Sequence, residues 1–177
     1  MKKKTLALVL ALTLLVAGIV GGTLAWLTDQ TAEVKNTFTV GDINIDLTET
    51  TTDYKMVPGN TIAKDPTVTV KANSEACWLF VKVTESTDLK DFITYAIAEG
   101  WAALPGVDGV YYREVPASSA DQTFSVLAGD AVTVKSDVTR TMLETAKTDA
   151  PTLTFQAYAI QRDHFATADA AWAEVSK

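Results

Sequence analysis

The stretch Cys77–Val83, CWLFVKV, is the most hydrophobic run of the chain beyond the N-terminal 25 residues. In an extended strand its odd-numbered residues form an aliphatic face, while Trp78 and Phe80 point to the opposite side. Since both faces are apolar, the run is typical of a sheet that is covered on both sides. We therefore predict a central strand. Cys77 is expected to be a small buried hydrophobic residue, because no cationic residue flanks it to make the thiol reactive.

Turn sequences divide the chain on both sides of this run. They are Pro58-Gly59-Asn60, Pro105-Gly106 and Asp108-Gly109, in which proline presets φ or glycine accepts a positive φ. A polar loop is predicted at 49–53. The apolar or alternating segments between these turns are predicted strands: 37–47 with a bulge or turn at Gly41-Asp42, 67–71, 101–104, 110–115, 123–127, 131–138 and 153–161.

Three segments favour helical structure. Leu89–Ala98 fits a helical stripe and a strand equally well, and we predict a short helical turn, with Asp88 as a candidate N-cap, followed by a strand. Thr139–Lys147 is predicted to be a short helix or a crossover loop. The alanine-rich segment Ala166–Ser176 is predicted to be a terminal helix with Thr167 as N-cap. Its docking side is expected to consist of Ala171, Trp172 and Val175.

Eight or nine short strands with turn signals between them predict an all-β fold, an antiparallel β-sandwich with short helical segments and a C-terminal helix. A hydrophobic signal helix is predicted to precede this fold. With Cys77 as the one cysteine of the chain, no intramolecular disulfide can form. Stability therefore has to come from packing, hydrogen bonds or assembly.

The N-terminus has the layout of a secretory signal peptide. Lys2–Lys4 are positively charged, an uncharged apolar stretch follows, and cleavage is predicted between Ala25 and Trp26. An uncleaved anchor is the alternative, because Thr5–Leu27 contains no charge and is long enough to span a bilayer. We predict a signal peptide at 1–25, an N-terminal arm at 26–40 and a β-sandwich domain at 41–177.

The charge balance limits the classes of partner. The chain has 15 basic and 22 acidic residues, and loss of residues 1–25 removes three of the basic ones, which leaves a net charge of −10. Nucleic acids and anionic membrane surfaces both attract basic proteins. We therefore expect no nucleic-acid partner, and contact with the membrane only before cleavage. The chain is expected to be secreted, in the extracellular matrix or at the cell surface.

No catalytic or cofactor motif is present in the sequence. His164 is the single histidine, so neither an H-E-x-x-H motif nor a histidine pair for zinc exists. Asp163 and Asp169 lie near it, but one histidine and two carboxylates make a weak metal site, and His164 is expected in a surface turn. Glu49 and Asp53 are clustered loop acids without the oxygen spacing of a calcium-binding EF-hand. We predict that the protein is not an enzyme and needs no cofactor or metal.

The N-terminal region resembles a known family, the TasA/camelysin-like exported proteins of Gram-positive bacteria, which are processed by the signal peptidase SipW. The resemblance implies a jelly-roll β-sandwich that assembles into biofilm-matrix fibres, with an accessory anchoring protein as a further possible partner. Some camelysin-like relatives are classed as metallopeptidases, and this chain lacks a recognisable zinc-ligand set. The resemblance is carried by Gly22, Thr23, Ala25, Leu27, Thr28, Asp29, Asn36, Thr37, Phe38, Gly41, Ile43 and Ile45.

The arm at 26–40 is a candidate donor strand. Its residues of one parity form an apolar face with a polar interruption at Asn36, and such a strand can add to the sheet edge of another subunit. The alternative is that the arm pairs within its own sheet, which is expected from Thr37 onward. The residues predicted to serve assembly are Trp26, Leu27, Ala32, Val34, Phe38 and Val40.

The predicted function is therefore a structural fibre subunit that self-associates after a SipW-like peptidase removes the signal peptide. One alternative is a monomeric surface adhesin that binds carbohydrate or protein through aromatic and acidic loops, with one ring of Tyr111-Tyr112 exposed. The other alternative is a secreted metallopeptidase of the camelysin type.

Overall fold

The structure, a computed structural model, describes residues 42–51 and 54–177. Within them, three α-helices are α1 Leu89–Phe92, α2 Arg140–Ala146 and α3 Ala168–Val175, and two 3₁₀ turns are Ala128–Asp130 and Arg162–His164. The strands are β1 Ile45–Thr48, β2 Thr61–Ala63, β3 Thr67–Val70, β4 Cys77–Glu85, β5 Ile93–Thr94, β6 Ala102–Ala103, β7 Val110–Val115, β8 Gln122–Ser125, β9 Ala131–Val134 and β10 Leu153–Gln161.

The described strands form three sheets, and all of their pairings are antiparallel. The first has the order β1-β3-β8, the second β10-β4-β7-β6 and the third β2-β9-β5. The longest pairing joins β10 to β4 and runs from Leu153 opposite Glu85 to Gln161 opposite Cys77. The predicted all-β antiparallel class with short helices is confirmed.

Strand β4 lies at the centre of the second sheet and is buried on both faces. Its aliphatic face, which includes Leu79 and Val81, packs against β3 and its neighbours in the first sheet. Its aromatic face, Trp78 and Phe80, packs against α3. The sequence prediction of a central strand covered on each side is therefore confirmed, and the two covering layers are a sheet and a helix.

Helix α3 docks through aromatic contacts. The ring of Trp172 lies 5.3 Å from that of Phe80 and 5.2 Å from that of Tyr158. Ala171 lies on the inner side of the helix and is fully buried. The Thr167 side chain caps the helix by accepting a hydrogen bond from the Ala170 amide. The predicted terminal helix, its cap and its docking side are confirmed.

The third sheet has its own core and was not predicted. Helices α1 and α2 pack with it around Leu127 and Val134, both of which are fully buried. Strand β2 escaped the sequence analysis because Ile62 is the one strongly apolar residue in a three-residue strand. Asp88 occupies the N-cap position of α1, but its side chain does not cap the helix, contrary to the sequence prediction.

Most of the remaining predictions agree with the structure to within a few residues. Strand β10 has the predicted bounds, whereas β9 ends at Val134 and not at residue 138. Thr139–Lys147, left open between helix and loop, contains α2 with Thr139 as its cap. The predicted strand residues 37–41 lie outside the described part of the chain. No helix among the described residues is long and apolar enough to cross a membrane.

The expected exposed ring at Tyr111-Tyr112 is not found. Both rings are half-buried, and the ring of Tyr112 lies 5.9 Å from that of Trp78 in the second sheet.

Two glycines in the loop between β6 and β7 provide a matched test of close packing. Gly106 and Gly109 have φ values of +74° and +71°, but an added Cβ meets nothing within 4 Å at Gly106, and lies 2.4 Å from the Val83 carbonyl oxygen at Gly109. We expect Gly106→Ala to cost about 1 kcal/mol from the left-handed backbone alone, and Gly109→Ala to cost about 2 kcal/mol more because β4 must move away. Urea unfolding of both variants measures the difference. Equal losses would contradict the close approach.

The buried thiol of Cys77 is expected to make the free energy of unfolding fall at alkaline pH. Desolvation raises its pKa from 9.0 to about 11 in the folded protein. Between these values the unfolded chain releases the thiol proton and the folded chain keeps it, so stability falls as pH rises. Relative to Cys77→Ala, we expect the protein to lose about 2 kcal/mol of unfolding free energy between pH 8.5 and 11. Cys77→Ala keeps every tyrosine, so the comparison cancels the effect of tyrosine titration at alkaline pH. Parallel pH profiles of the unfolding free energy in the two proteins would refute the assignment to Cys77.

Candidate functional site: an open sheet edge

Strand β10 forms one edge of the second sheet, and its outer side is unpaired among the described residues. The Ser86 amide donates to the Thr152 carbonyl and the Arg162 amide to the Ala76 carbonyl, both at 2.9 Å. The backbone groups of the even-numbered residues of β10 therefore form the hydrogen bonds to β4, because hydrogen-bonded and non-hydrogen-bonded residue pairs alternate along two antiparallel strands. The amides and carbonyls of Phe155, Ala157, Ala159 and the other odd-numbered residues point away from the sheet.

Strand β1 lies beside this edge but does not pair with it. The Lys71 amide donates to the Asn44 carbonyl at 2.9 Å, so the even-numbered residues of β1 face β3. The backbone groups of its odd-numbered residues are directed outward. We call the outward-facing sides of β1 and β10 together the open edge.

An apolar strip runs along the open edge. The side chains that form it are packed against the core but only half-buried, whereas the corresponding residues of β4 are buried. A strand added beside β10 would cover part of this strip and would satisfy the backbone groups of the odd-numbered residues of β10. The strip consists of Ile43, Ile45, Leu47, Phe155, Ala157 and Ala159.

A buried ion pair closes one end of the open edge. Lys64 Nζ lies 2.6 Å from Glu49 Oε1, and the two side chains are 8% and 17% exposed. The Tyr54 hydroxyl donates to the same carboxylate oxygen at 2.7 Å. Lys64 also lies over the rings of Tyr54 and Phe155, at 4.7 and 5.4 Å from their centroids. Burial, and then the hydrogen bond to Glu49, raise the pKa of Tyr54.

The predicted assembly and cleavage residues lie outside the described part of the chain. They are Ala25, Trp26, Leu27, Ala32, Val34, Phe38 and Val40, and their roles stay predictions. What sequence reasoning missed is the acceptor side, namely β10 as an edge strand, and the ion pair of Lys64. The alternation of Leu153–Gln161 indicated a strand, but no signal in the sequence indicated which neighbours it lacks.

The described donors do not fit a zinc centre. Cys77 is fully buried and its raised pKa disfavours the thiolate, while His164 is exposed in the turn after β10, where the sequence predicted it. Within residues 42–51 and 54–177, no three His, Cys, Asp or Glu side chains form a group that could hold a metal ion. Glu49 is engaged by Lys64, and Asp53, the loop acid that is clustered with it in the sequence, lies outside the described residues.

Comparison with known proteins gives one match. Residues 1–89, about half of the chain, match the sequence model of a family described as "Camelysin metallo-endopeptidase". Neither a curated protein nor a solved structure matches the chain. The described part of the matched region contains β1 to β4 and ends at Leu89, the first residue of α1, and it therefore includes one side of the open edge.

The ion pair at the end of the open edge is expected to stabilise the fold more than a surface pair does. Removing one partner of a buried pair leaves an uncompensated charge, so Lys64→Met should cost about 2–3 kcal/mol. A double-mutant cycle with Glu49→Gln should show a coupling above about 1 kcal/mol that changes little between 0.1 and 1 M salt.

The control is the exposed pair Arg162–Glu114, separated by 3.3 Å. Its coupling should stay below about 0.5 kcal/mol and should decrease in high salt. Chemical denaturation of the four single variants and two double variants measures the coupling energies of both ion pairs. A salt-sensitive coupling for Lys64–Glu49 that is no larger than the control would show that the pair is not buried in solution.

Proposed function

The chain belongs to the camelysin metallo-endopeptidase family, whose TasA/camelysin-like members its N-terminal sequence resembles, and we propose that it is a non-catalytic structural subunit of an extracellular fibre. In this proposal residues 1–25 are a signal peptide that a SipW-like signal peptidase removes between Ala25 and Trp26. The mature protein is secreted and joins other copies of itself in the biofilm matrix or at the cell surface.

The open edge is the observation that supports assembly. Strand β10 is nine residues long, or about 30 Å, and its odd-numbered backbone groups are directed outward. A strand with an unpaired edge of this length is prone to pair with another chain. The half-buried strip beneath it, including Ile45 and Phe155, offers apolar surface that an added strand would bury.

The arm at 26–40 has the length and pattern of a partner for this edge. Its 15 residues reach about 50 Å when extended, which exceeds the length of β10. Ala32, Val34, Phe38 and Val40 share one parity, so they would fall on the same face of an added strand. Backbone hydrogen bonds would supply affinity, and the alternate apolar side chains would supply register.

Addition of one subunit's arm to the edge of another is a heterologous contact. Because donor and acceptor are different surfaces, the contact does not close on itself and generates a filament. Cleavage also provides control in this proposal. While residues 1–25 hold the arm at the membrane, it is not free to reach an adjacent subunit, and signal removal permits assembly.

The metallopeptidase activity in the family's description is not part of the proposal. The chain has a single histidine and a single cysteine, and that cysteine is buried in the core, so the usual zinc ligands of a peptidase are not available as a set. Casein digestion with and without a chelator tests this point. Chelator-sensitive digestion by the purified protein would replace the fibre proposal with an enzymatic one.

The assembly proposal is tested by comparing a protein that starts at Trp26 with one that starts at Asn36. The first is expected to form filaments in electron microscopy and to sediment as large particles. The second should stay monomeric, because it lacks most of the arm. Filaments from the shorter protein would contradict the role of residues 26–35.

A proline pair tests the acceptor side. Ala157→Pro removes an amide that faces the open edge and leaves the bonds to β4 intact, so it should block assembly with little change in thermal stability. Ala103→Pro is the matched control, because the pairing of β6 with β7 directs its amide outward at the opposite edge of the same sheet. Normal filaments from Ala157→Pro, or their loss in Ala103→Pro alone, would assign assembly to another edge.

A further inference from the structure

Strand β1 is an edge strand of the first sheet, and the arm joins the chain directly before it. One side of β1 pairs with β3, and its other side is unpaired among the described residues. Gly41-Asp42, which precedes β1, fits either a bulge in one continuous strand or a turn between two strands. These alternatives direct the arm to opposite ends of β1.

A continuous strand would lose its partner before β1. The pairing of β1 with β3 ends at Lys71, whose amide donates to β1 at 2.9 Å. Beyond Lys71 the chain turns at Asn73, which has a φ of +63°, and the Asp42 carbonyl accepts from the Glu75 amide at 3.1 Å. Residues 37–41 in straight continuation of β1 would therefore extend past the end of β3, without β3 to satisfy their backbone groups.

A two-residue turn at Gly41-Asp42 gives the end of the arm a partner. The chain would fold back antiparallel along the outer side of β1, and Val40 would lie opposite Ile43. Two residues further along, Phe38 would lie opposite Ile45. Residues that are opposite each other in a sheet have their side chains on the same face. Val40 and Phe38 would thus pack beside two half-buried members of the apolar strip.

The backbone of β1 fits the same register. In a two-residue hairpin the residues that flank the turn exchange both hydrogen bonds, which here are Val40 and Ile43. The odd-numbered residues of β1 have outward-facing amides and carbonyls, because its even-numbered residues bond to β3. Glycine is the residue that a type II′ turn needs at its first position, where Gly41 lies. A shift of one residue would turn Phe38 and Val40 to the exposed face.

We propose that residues 36–40 form a hairpin with β1 of the same chain, and that the hairpin directs residues 26–35 past the Lys64 end of the open edge. β1 ends at this point beside the start of β10, since Leu47 and Leu153 line one pocket with Lys64. Asn36, the polar residue of the arm, lies opposite Leu47, where the hairpin ends.

The hairpin divides the arm into two parts. Residues 36–40 pair within the subunit, whether or not fibres form. Residues 26–35 span about 33 Å when extended, which is enough to pair with β10 of another subunit, and this second step rests on the proposed function. A continuous strand would carry the same residues away from β1 at its opposite end, beyond Asp42.

The experiment is disulfide trapping in the protein that starts at Trp26, diluted until sedimentation shows only monomers. In a Cys77→Ala background, Thr37→Cys is combined with Asp46→Cys, which the register places directly opposite at a Cα separation of about 4.5 Å. In the matched control Thr37→Cys is combined with Asn44→Cys, two residues away along β1 and roughly 7–8 Å distant. Thermal melting of the reduced variants confirms that they are folded.

Mild oxidation should link the Thr37–Asp46 pair within one chain about fivefold more completely than the control pair, because only the first has disulfide geometry. A mobile arm would link both pairs about equally, since loop closure depends weakly on loop length. A continuous strand would hold Thr37 about 30 Å from Asp46 and would link neither pair. Equal linkage, no linkage, or dimers formed through the arm of a second copy would each overturn the hairpin.

The linked protein also tests the path of residues 26–35. Filaments should form equally well from the oxidised and reduced Thr37–Asp46 variant, because the hairpin leaves these residues free. Loss of filaments on oxidation alone would show that residues 36–40 have to leave β1, and would overturn the path. If neither form assembles while the intramolecular disulfide still appears, the hairpin is supported and the proposed fibre function is wrong.

Discussion

The double-sided burial of β4 is the constraint on which the rest of the structure depends. A strand with an aliphatic face and an aromatic face needs two different covers, and here the first sheet packs on one face and α3 on the other. Because β4 also needs a hydrogen-bonded neighbour on each side, β7 and β10 are placed beside it. The second sheet is thus arranged around one run of seven residues, and its outer strands follow from that arrangement.

This arrangement makes β10 an edge strand. Its inner side is paired with β4 over its whole length, and within the described residues nothing pairs with its outer side. The neighbouring strand β1 lies beside β10 but does not pair with it, and the apolar side chains of the two strands stay half-buried. This unpaired side of β10 is the feature on which the proposed assembly depends. The buried ion pair of Lys64 and Glu49 lies at one end of the open edge.

Local pattern alone determined the all-β class, the central strand, the terminal helix and its Thr167 cap, because these depend on residues close together in sequence. It also indicated the bounds of β10 and the turn before β7. It did not indicate the third sheet, whose strand β2 is too short to carry a periodic signal. Pairing partners, the unpaired side of β10 and the burial of Lys64 against Glu49 were decided by the tertiary structure, because they join residues 15 or more positions apart whose contact no local pattern records.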